Sequence, residues 1–152
     1  MGKTLSVLTL ATTLLLAAAC SHTWQDPDTA LPAQEVSIAT ILASPDAYDM
    51  SGVSVIGKIW HLESVPLEIN EGGVQRMYTK FLLADKRGIG IDVYVPGEVP
   101  VVEGDFIKVV GLYRKTFQQQ GQGQYFYSRI DAVRLESWNP GLAYWIREYE
   151  FD

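Results

Sequence analysis

Cysteine and histidine are scarce in this sequence. Of 152 residues, one is a cysteine, Cys20, and two are histidines, His22 and His61. A single thiol excludes a disulfide within the chain, so a folded domain must be stabilised by its core alone. Metal centres usually gather several His, Cys or carboxylate ligands at short spacing, and no such spacing occurs. We therefore expect neither a bound metal nor a cofactor.

Positive charge is limited as well. Twelve Lys and Arg stand against 18 Asp and Glu, a formal net charge of −6. Because neutralisation of phosphate dominates nucleic-acid binding, this balance disfavours nucleic acid as a general partner. Neither His22 nor His61 has a partner in the sequence that would make it a general base, so we do not expect an enzyme.

Long apolar runs are confined to the first twenty residues. Lys3 is followed by an apolar stretch from Leu5 to Leu16 and by small residues up to Cys20, which is the layout of a secretory signal. The apolar stretch is too short to span a bilayer comfortably. This segment resembles the lipobox of bacterial lipoproteins, although Ala17 stands where that family usually has Leu.

The lipobox resemblance has consequences for processing and location. It implies a signal peptide over residues 1–19, acylation of Cys20 by palmitate-type chains and anchoring of the protein in the cell envelope. Ser21, where Asp would retain a lipoprotein in the inner membrane, resembles the kind sorted to the outer membrane, facing the periplasm. The alternative is a secreted protein with one free thiol.

The remaining chain divides into three segments. Residues 20–35 are polar with Pro27 and Pro32 and predict a tether, in which Trp24 either rests at the membrane interface or docks on the domain. Residues 36–137 predict one folded domain. In residues 138–152, Asn139-Pro140 is a helix start, and an apolar face recurs at helical spacing, predicting a short C-terminal helix packed on the domain (Leu142, Trp145, Ile146, Tyr149).

The sequence of residues 36–137 predicts one short helix and five strands. Ser37 can cap a helix from Ile38 to Ala43, which Ser44-Pro45 ends. Period-2 alternation then predicts strands over 53–60, around 81–83, 89–95, 106–116 and 125–135. Interior glycines at Gly57 and Gly111 allow the close bends that a small barrel requires.

Three segments carry a resemblance to bacterial OB-fold domains: 45–48 (PDAY), 53–59 (VSVIGKI) and 103–111 (EGDFIKVVG). The resemblance implies an all-β, five-stranded OB-like barrel with a short helix at each end. The helix that this fold often carries between its third and fourth strands has no room between Val95 and Phe106.

Candidate binding residues lie on the outer face that this barrel would have. The alternation places Lys58 and Trp60 of the first strand outside, together with Asp92 and Tyr94 of the third, and the second strand adds Tyr78, Lys80 and Leu82. Interleaved aromatic and basic side chains suit stacking and electrostatic binding of a nucleotide, a sugar or a peptide. The alternative is that the C-terminal helix or the tether covers this face.

A second group flanks the last predicted hairpin. Arg114 and Lys115 precede a Gln- and Gly-rich connection, and Tyr125, Tyr127 and Arg129 follow it. This group can hold an anion, but a solvated hairpin end has the same composition.

A loose resemblance to the Slp type of starvation-inducible outer-membrane lipoproteins rests on Pro66-Leu67-Glu68 and Tyr125-Phe126-Tyr127. We expect a non-enzymatic envelope lipoprotein whose barrel binds another envelope protein or component. The alternative function is a small-ligand or single-stranded nucleic-acid binder that uses Trp60, Tyr78 and Tyr94.

Overall fold

A computed structural model describes residues 23–25, 30–68, 74–118, 123 and 125–141. In chain order the elements are β1 (Thr23–Gln25), β2 (Gln34–Glu35), α1 (Ile38–Ala43), α2 (Pro45–Tyr48), β3 (Gly52–Glu68), β4 (Gln75–Ala84), β5 (Gly90–Pro96), β6 (Phe106–Gln118) and β7 (Tyr125–Ser137). The helix predicted from Ile38 to Ala43 is α1. It begins after Ser37 because Ser37 Oγ accepts a hydrogen bond from the Thr40 backbone N–H.

The five long strands close into one barrel. β3 pairs with β4, β4 with β5, β5 with β7, β7 with β6 and β6 with β3, and only the β5–β7 pair among these five is parallel. β3 takes part at two seams, since residues 52–58 pair with β6 and residues 58–68 with β4. This is the OB-fold arrangement, and the expected all-β class is confirmed. No helix lies between β5 and β6, whose linking residues 97–105 are all described.

The core follows the alternation of side chains along the strands, except where the β6–β7 pair has a bulge. Val53, Val55 and Ile59 of β3 point inward and are fully buried, as are Phe81 and Leu83 of β4. β5, β6 and β7 contribute Ile91, Val93, Val95, Ile107, Val109, Tyr113, Ile130 and Leu135, and α1 adds Ile38 and Ile41. One face of each of the five long strands is thus committed to the core, which leaves the other face for binding.

Two glycines mark close approaches between strands. A Cβ on Gly111 would lie 2.5 Å from the Asp131 carbonyl oxygen, at the bulge where the β6–β7 register shifts. A Cβ on Gly57 would lie 2.7 Å from the Ala84 carbonyl oxygen. Their role is therefore steric, because neighbouring backbone occupies the space that a side chain would need.

The segment expected to be a tether contributes structure of its own. β1 pairs antiparallel with the end of β7, and the partly buried Trp24 packs on the core. Of the two alternatives for Trp24, the structure therefore shows docking on the domain. β2 pairs parallel with β3, and the Pro32 carbonyl oxygen lies against Gly52. Residues 23–25 and 30–35 are thus held on the barrel.

Three expectations fall outside the described residues: the signal peptide over 1–19, acylation at Cys20 and the C-terminal helix beyond residue 141. Within the described residues, no helix combines the length and apolar character needed to cross a membrane.

Candidate ligand-binding surface

The outer face of the barrel carries the side chains that the alternation placed there. Lys58 and Trp60 lie outside on β3, and Tyr78 and Lys80 outside on β4, while their inward neighbours are buried. Tyr94 lies on the outer face of β5, yet it is only 6 % exposed. Packing on the outer surface must therefore cover Tyr94.

That cover comes from the β6–β7 hairpin. Phe117 of β6 packs edge-on against Tyr94, with ring centroids 6.0 Å apart and an interplanar angle of 68°. Arg129 of β7 lies over both rings, its guanidinium carbon 3.6 Å from the Phe117 centroid and 4.9 Å from that of Tyr94. A guanidinium over aromatic faces is a favourable cation–π arrangement that strengthens as water is excluded.

A single carboxylate pairs with both arginines of this cluster. Arg129 Nε lies 2.6 Å from Asp131 Oδ1, and Arg129 Nη2 donates a hydrogen bond to Oδ2 over 3.2 Å. Arg114 Nη1 donates to the same Oδ2 over 3.4 Å. Burial lowers the pKa of Arg129, and Asp131 opposes that shift. Arginine nevertheless remains protonated in proteins, so the site holds a desolvated cation whose partner is a single shared carboxylate.

The backbone of β7 helps to place this arginine. Ser128 adopts a left-handed conformation with φ of 51°, and its Oγ lies 3.3 Å from the Tyr113 hydroxyl. The next residue is Arg129. A left-handed conformation is costly for a residue other than glycine and persists only where its surroundings enforce it, here the buried Tyr113.

Lys80 forms the opposite border of the cluster. Its Nζ lies 3.0 Å from Glu63 Oε1 and 6.0 Å from the Tyr94 ring centroid. Burial alone would lower the pKa of Lys80, but the hydrogen bond to Glu63 and nearby negative charge raise it overall. Burial raises the pKa of Tyr94, so its hydroxyl remains protonated at neutral pH.

A groove of about 420 Å³ opens beside these residues. Its lining combines two tyrosines, two arginines and a carboxylate with apolar residues: Leu31, Tyr78, Tyr94, Pro96, Leu112, Arg114, Arg129, Asp131, Ala132 and Val133. Apolar walls with a few converging polar groups are typical of binding sites. We call these residues the Tyr94 groove.

The predicted site residues divide between this groove and other places. Tyr78, Tyr94, Arg114 and Arg129 line the groove, and Lys80 borders it. Lys115 is turned away toward α2, where Nζ lies 2.5 Å from Asp46 Oδ1. Tyr127 is 74 % exposed on the hairpin, and the side chain of Tyr125 lies outside what is described.

Trp60 belongs to a separate surface. Lys58 Nζ lies 4.6 Å from the Trp60 ring centroid and 5.8 Å from that of Phe106, which in turn lies 6.3 Å from Trp138. Trp60 is 41 % exposed. We call these four residues, Lys58, Trp60, Phe106 and Trp138, the tryptophan stripe.

Sequence reasoning missed two residues of the groove cluster. The strand predicted over 106–116 ends before Phe117, but β6 extends to Gln118 and carries Phe117 back over Tyr94. Asp131 follows Arg129 at the strand spacing of two, which places both side chains on one face. That spacing was the available signal for the ion pair.

The structure describes one of the two histidines, His61. His61 is exposed and adopts φ of 53° at the bulge between Trp60 and Glu63. Within residues 23–25, 30–68, 74–118, 123 and 125–141, no three His, Cys, Asp or Glu side chains converge as a metal site would require.

Comparison with known proteins gives structural similarity alone. No family model matches the chain, and no curated protein matches it. Among solved structures, it is similar to the OB domain of a Thermoplasma acidophilum protein, with 21 % identity, a TM-score of 0.48, and coverage of 71 % of this chain and 89 % of that one. It is also similar to a putative aspartyl-tRNA synthetase from Leishmania major Friedlin, with 7 % identity and a TM-score of 0.41, over 74 % of this chain and 22 % of that one.

Proposed function

We infer that this protein is a non-enzymatic lipoprotein of the cell envelope, anchored through acylated Cys20, whose barrel binds another envelope protein at the Tyr94 groove. The groove is the observation that carries this proposal. It places aromatic rings, two arginines and a carboxylate around one preformed cavity. Aromatic residues and arginine are the residue types enriched where proteins bind proteins.

The charge around the groove favours a protein partner over nucleic acid. Asp131 pairs with both Arg114 and Arg129 and offsets one of their two positive charges, and Glu63 pairs with Lys80. A phosphate backbone would need cations that release counterions, and these cations already have carboxylate partners. A polypeptide carries both signs of charge together with apolar side chains, so it matches the groove more closely.

The proposed location rests on the N-terminal sequence. The apolar run and the small residues before Cys20 are typical of a lipoprotein signal, and Ser21 supports outer-membrane sorting toward the periplasm. Two or more acyl chains on one cysteine anchor a protein durably, because each buried methylene contributes about 0.8 kcal/mol.

Site-specific photocrosslinking tests the groove. A photoreactive phenylalanine derivative at Tyr78, within the groove, should crosslink to a defined protein in intact envelopes, and the same group at the exposed Ala43 of α1 should not. Equal yields from both positions, or none from Tyr78, would contradict the groove as the binding site. An Asp131→Ala change in the Tyr78 variant should reduce the yield, because the arginines lose their shared partner.

The anchor and the ligand class have separate tests. The Cys20→Ser variant should lack the acyl mass and leave the membrane fraction, and a variant that stays membrane-bound would exclude this anchor. Single-stranded nucleic-acid binding, the alternative from the aromatic and basic residues, would appear as tight binding that weakens steeply with salt. Such binding by the mature domain would replace the proposed protein partner.

A further inference from the structure

The first strand fixes which end of the barrel lies close to the proposed anchor. β1 runs antiparallel to β7 with Thr23 opposite Glu136. Glu136 precedes Trp138 by two residues. Thr23 therefore lies at the end of the barrel where β7 finishes. Three peptide steps separate Cys20 from Thr23, and at about 3.6 Å per residue they reach at most about 11 Å. A lipid on Cys20 would hold this end of the barrel close to the bilayer.

The tryptophan stripe occupies this same end. The Trp138 backbone N–H donates to the Phe106 carbonyl over 3.0 Å, which continues the pairing of β7 with the start of β6. Lys58 faces Phe106 across the β3–β6 pair and lies under Trp60. The four side chains form one continuous strip, since each ring or ammonium contacts the next.

An exposed aliphatic side chain extends this surface. The Gly104 backbone N–H donates to the Ile59 carbonyl over 2.8 Å, so the turn before β6 lies against β3 next to Trp60. Val102, in that turn, is 65 % exposed. Its apolar side chain therefore projects into solvent at the barrel end near the proposed anchor.

The chemistry of the stripe matches the headgroup region of a bilayer. Tryptophan is enriched at membrane interfaces because its ring is apolar and its indole N–H is a donor. Lysine places its methylene stem among apolar groups while its ammonium reaches phosphate and water. Membrane contact by such side chains adds to acyl anchoring and limits the orientations that an anchored domain can take.

We propose that the tryptophan stripe, together with Val102, rests on the phospholipid surface and orients the barrel with the Tyr94 groove directed away from the membrane. This rests on the proposed anchoring through Cys20. Arg129 lines the groove nine residues before Trp138, and Leu112 and Arg114 line it six and eight residues after Phe106, so the groove lies further along β6 and β7 than the stripe. The surface that contacts lipid and the surface that binds the partner are thus set apart along one strand.

Spin labels on introduced cysteines test the orientation in the mature acylated protein. Cys20 is the only cysteine, and acylation blocks its thiol, so a label reacts only with the introduced residue. We compare Val102→Cys with Tyr127→Cys, a position that is also exposed but lies near the start of β7. Each protein is reconstituted into vesicles of phosphatidylethanolamine and phosphatidylglycerol. Accessibility to oxygen and to a water-soluble nickel chelate is then measured by power saturation.

The label at position 102 should be several-fold less accessible to the nickel chelate than the label at 127, and more accessible to oxygen. A Trp60→Gln change should increase nickel access at 102 and leave 127 unchanged. Equal nickel access at both positions, in protein that carries the acyl mass and sediments with vesicles, would overturn the orientation while leaving the anchor intact. Protein without acyl mass would overturn the anchor and the orientation together.

Discussion

The guanidinium carbon of Arg129 lies 3.6 Å from the ring centroid of Phe117, although the two residues come from opposite arms of the β6–β7 hairpin. Phe117 in turn packs on Tyr94 of β5. Three strands thus converge on one stacked cluster, and Asp131 fixes its cation. The shape of the groove depends on this stack, because Tyr94 and Arg129 form part of its lining.

Removing the shared carboxylate should destabilise the domain. Asp131→Ala leaves Arg114 and Arg129 without their partner, and Arg129 is the more buried of the two. A lost hydrogen bond to a charged group costs about 1.5–3 kcal/mol, and we expect about 1–2 kcal/mol here because the Asp131 side chain is 32 % exposed. Urea denaturation measures the change. Glu63→Gln, at a more exposed pair, should change the free energy of unfolding much less, and equal losses would contradict the role of burial.

Stability should fall at alkaline pH, in part through Tyr94. Burial raises its pKa in the folded protein, so the unfolded chain loses the phenol proton first as pH rises. The free energy of unfolding should be unaffected by this group below about pH 9 and should decrease above the ordinary tyrosine pKa of about 10. The pKa of Lys80 is also raised in the folded protein, so deprotonation of Lys80 at alkaline pH likewise lowers the free energy of unfolding.

The Tyr94→Phe variant isolates the tyrosine contribution. It keeps the ring contact with Phe117 but has no proton to lose, so its free energy of unfolding should fall less steeply between about pH 9 and about pH 11. Denaturant titrations at several pH values measure the slope. Tyr127→Phe, a change at an exposed ring, serves as the control and should keep the wild-type slope. Identical slopes for all three proteins would exclude Tyr94 as a source.

A methyl group at Gly111 should be poorly tolerated. Its Cβ would meet the Asp131 carbonyl oxygen at 2.5 Å and the Ile130 side chain at 2.6 Å, and the backbone of β7 cannot yield without breaking the barrel seam. We expect Gly111→Ala to lower the free energy of unfolding by about 1–3 kcal/mol or more, and thermal unfolding measures the change. Gly88→Asn is a matched control, because Gly88 has φ of 77° in open space and asparagine tolerates that conformation. A smaller loss at Gly111 than at Gly88 would refute the steric argument.

The cap of α1 gives a local prediction. Ser37→Ala removes the hydrogen bond to the Thr40 backbone N–H and should cost about 1 kcal/mol. Ser44 stands at the equivalent position of α2 but makes no capping hydrogen bond through its side chain. Ser44→Ala should therefore change the free energy of unfolding by clearly less. Equal effects of the two substitutions in denaturant unfolding would show that the cap of α1 is not the cause.

Local patterns predicted the fold well where the determinants are local. Ser37 and Pro45 bracket α1 because a cap and a proline act within a few residues, and both are visible in the sequence. The inward set of β3, including Val53 and Val55, follows from alternation alone. Pairing partners are not local, so β1, β2 and the extension of β3 to Glu68 were not predicted.

The candidate site was predicted in composition but not in arrangement. Tyr94 and Arg129 were both named, in two separate groups, because nothing local relates a residue on β5 to one on β7. Alternation alone groups Trp60 with Tyr94, since both lie on the outer face, but in the structure Trp60 contacts Lys58 of the tryptophan stripe.

The sequence by itself determined the class of fold, the outward direction of the aromatic and basic side chains and the expectation of an anchor at Cys20. Periodicity, caps and a short signal are properties of neighbouring residues, so they can be read along the chain. Only the tertiary structure decided that Tyr94, Phe117 and Arg129 form one cluster and that Trp60 belongs to another surface. Closure of the barrel causes this grouping, because the pairing of β5 with β7 and of β3 with β6 brings together residues that are far apart in the sequence.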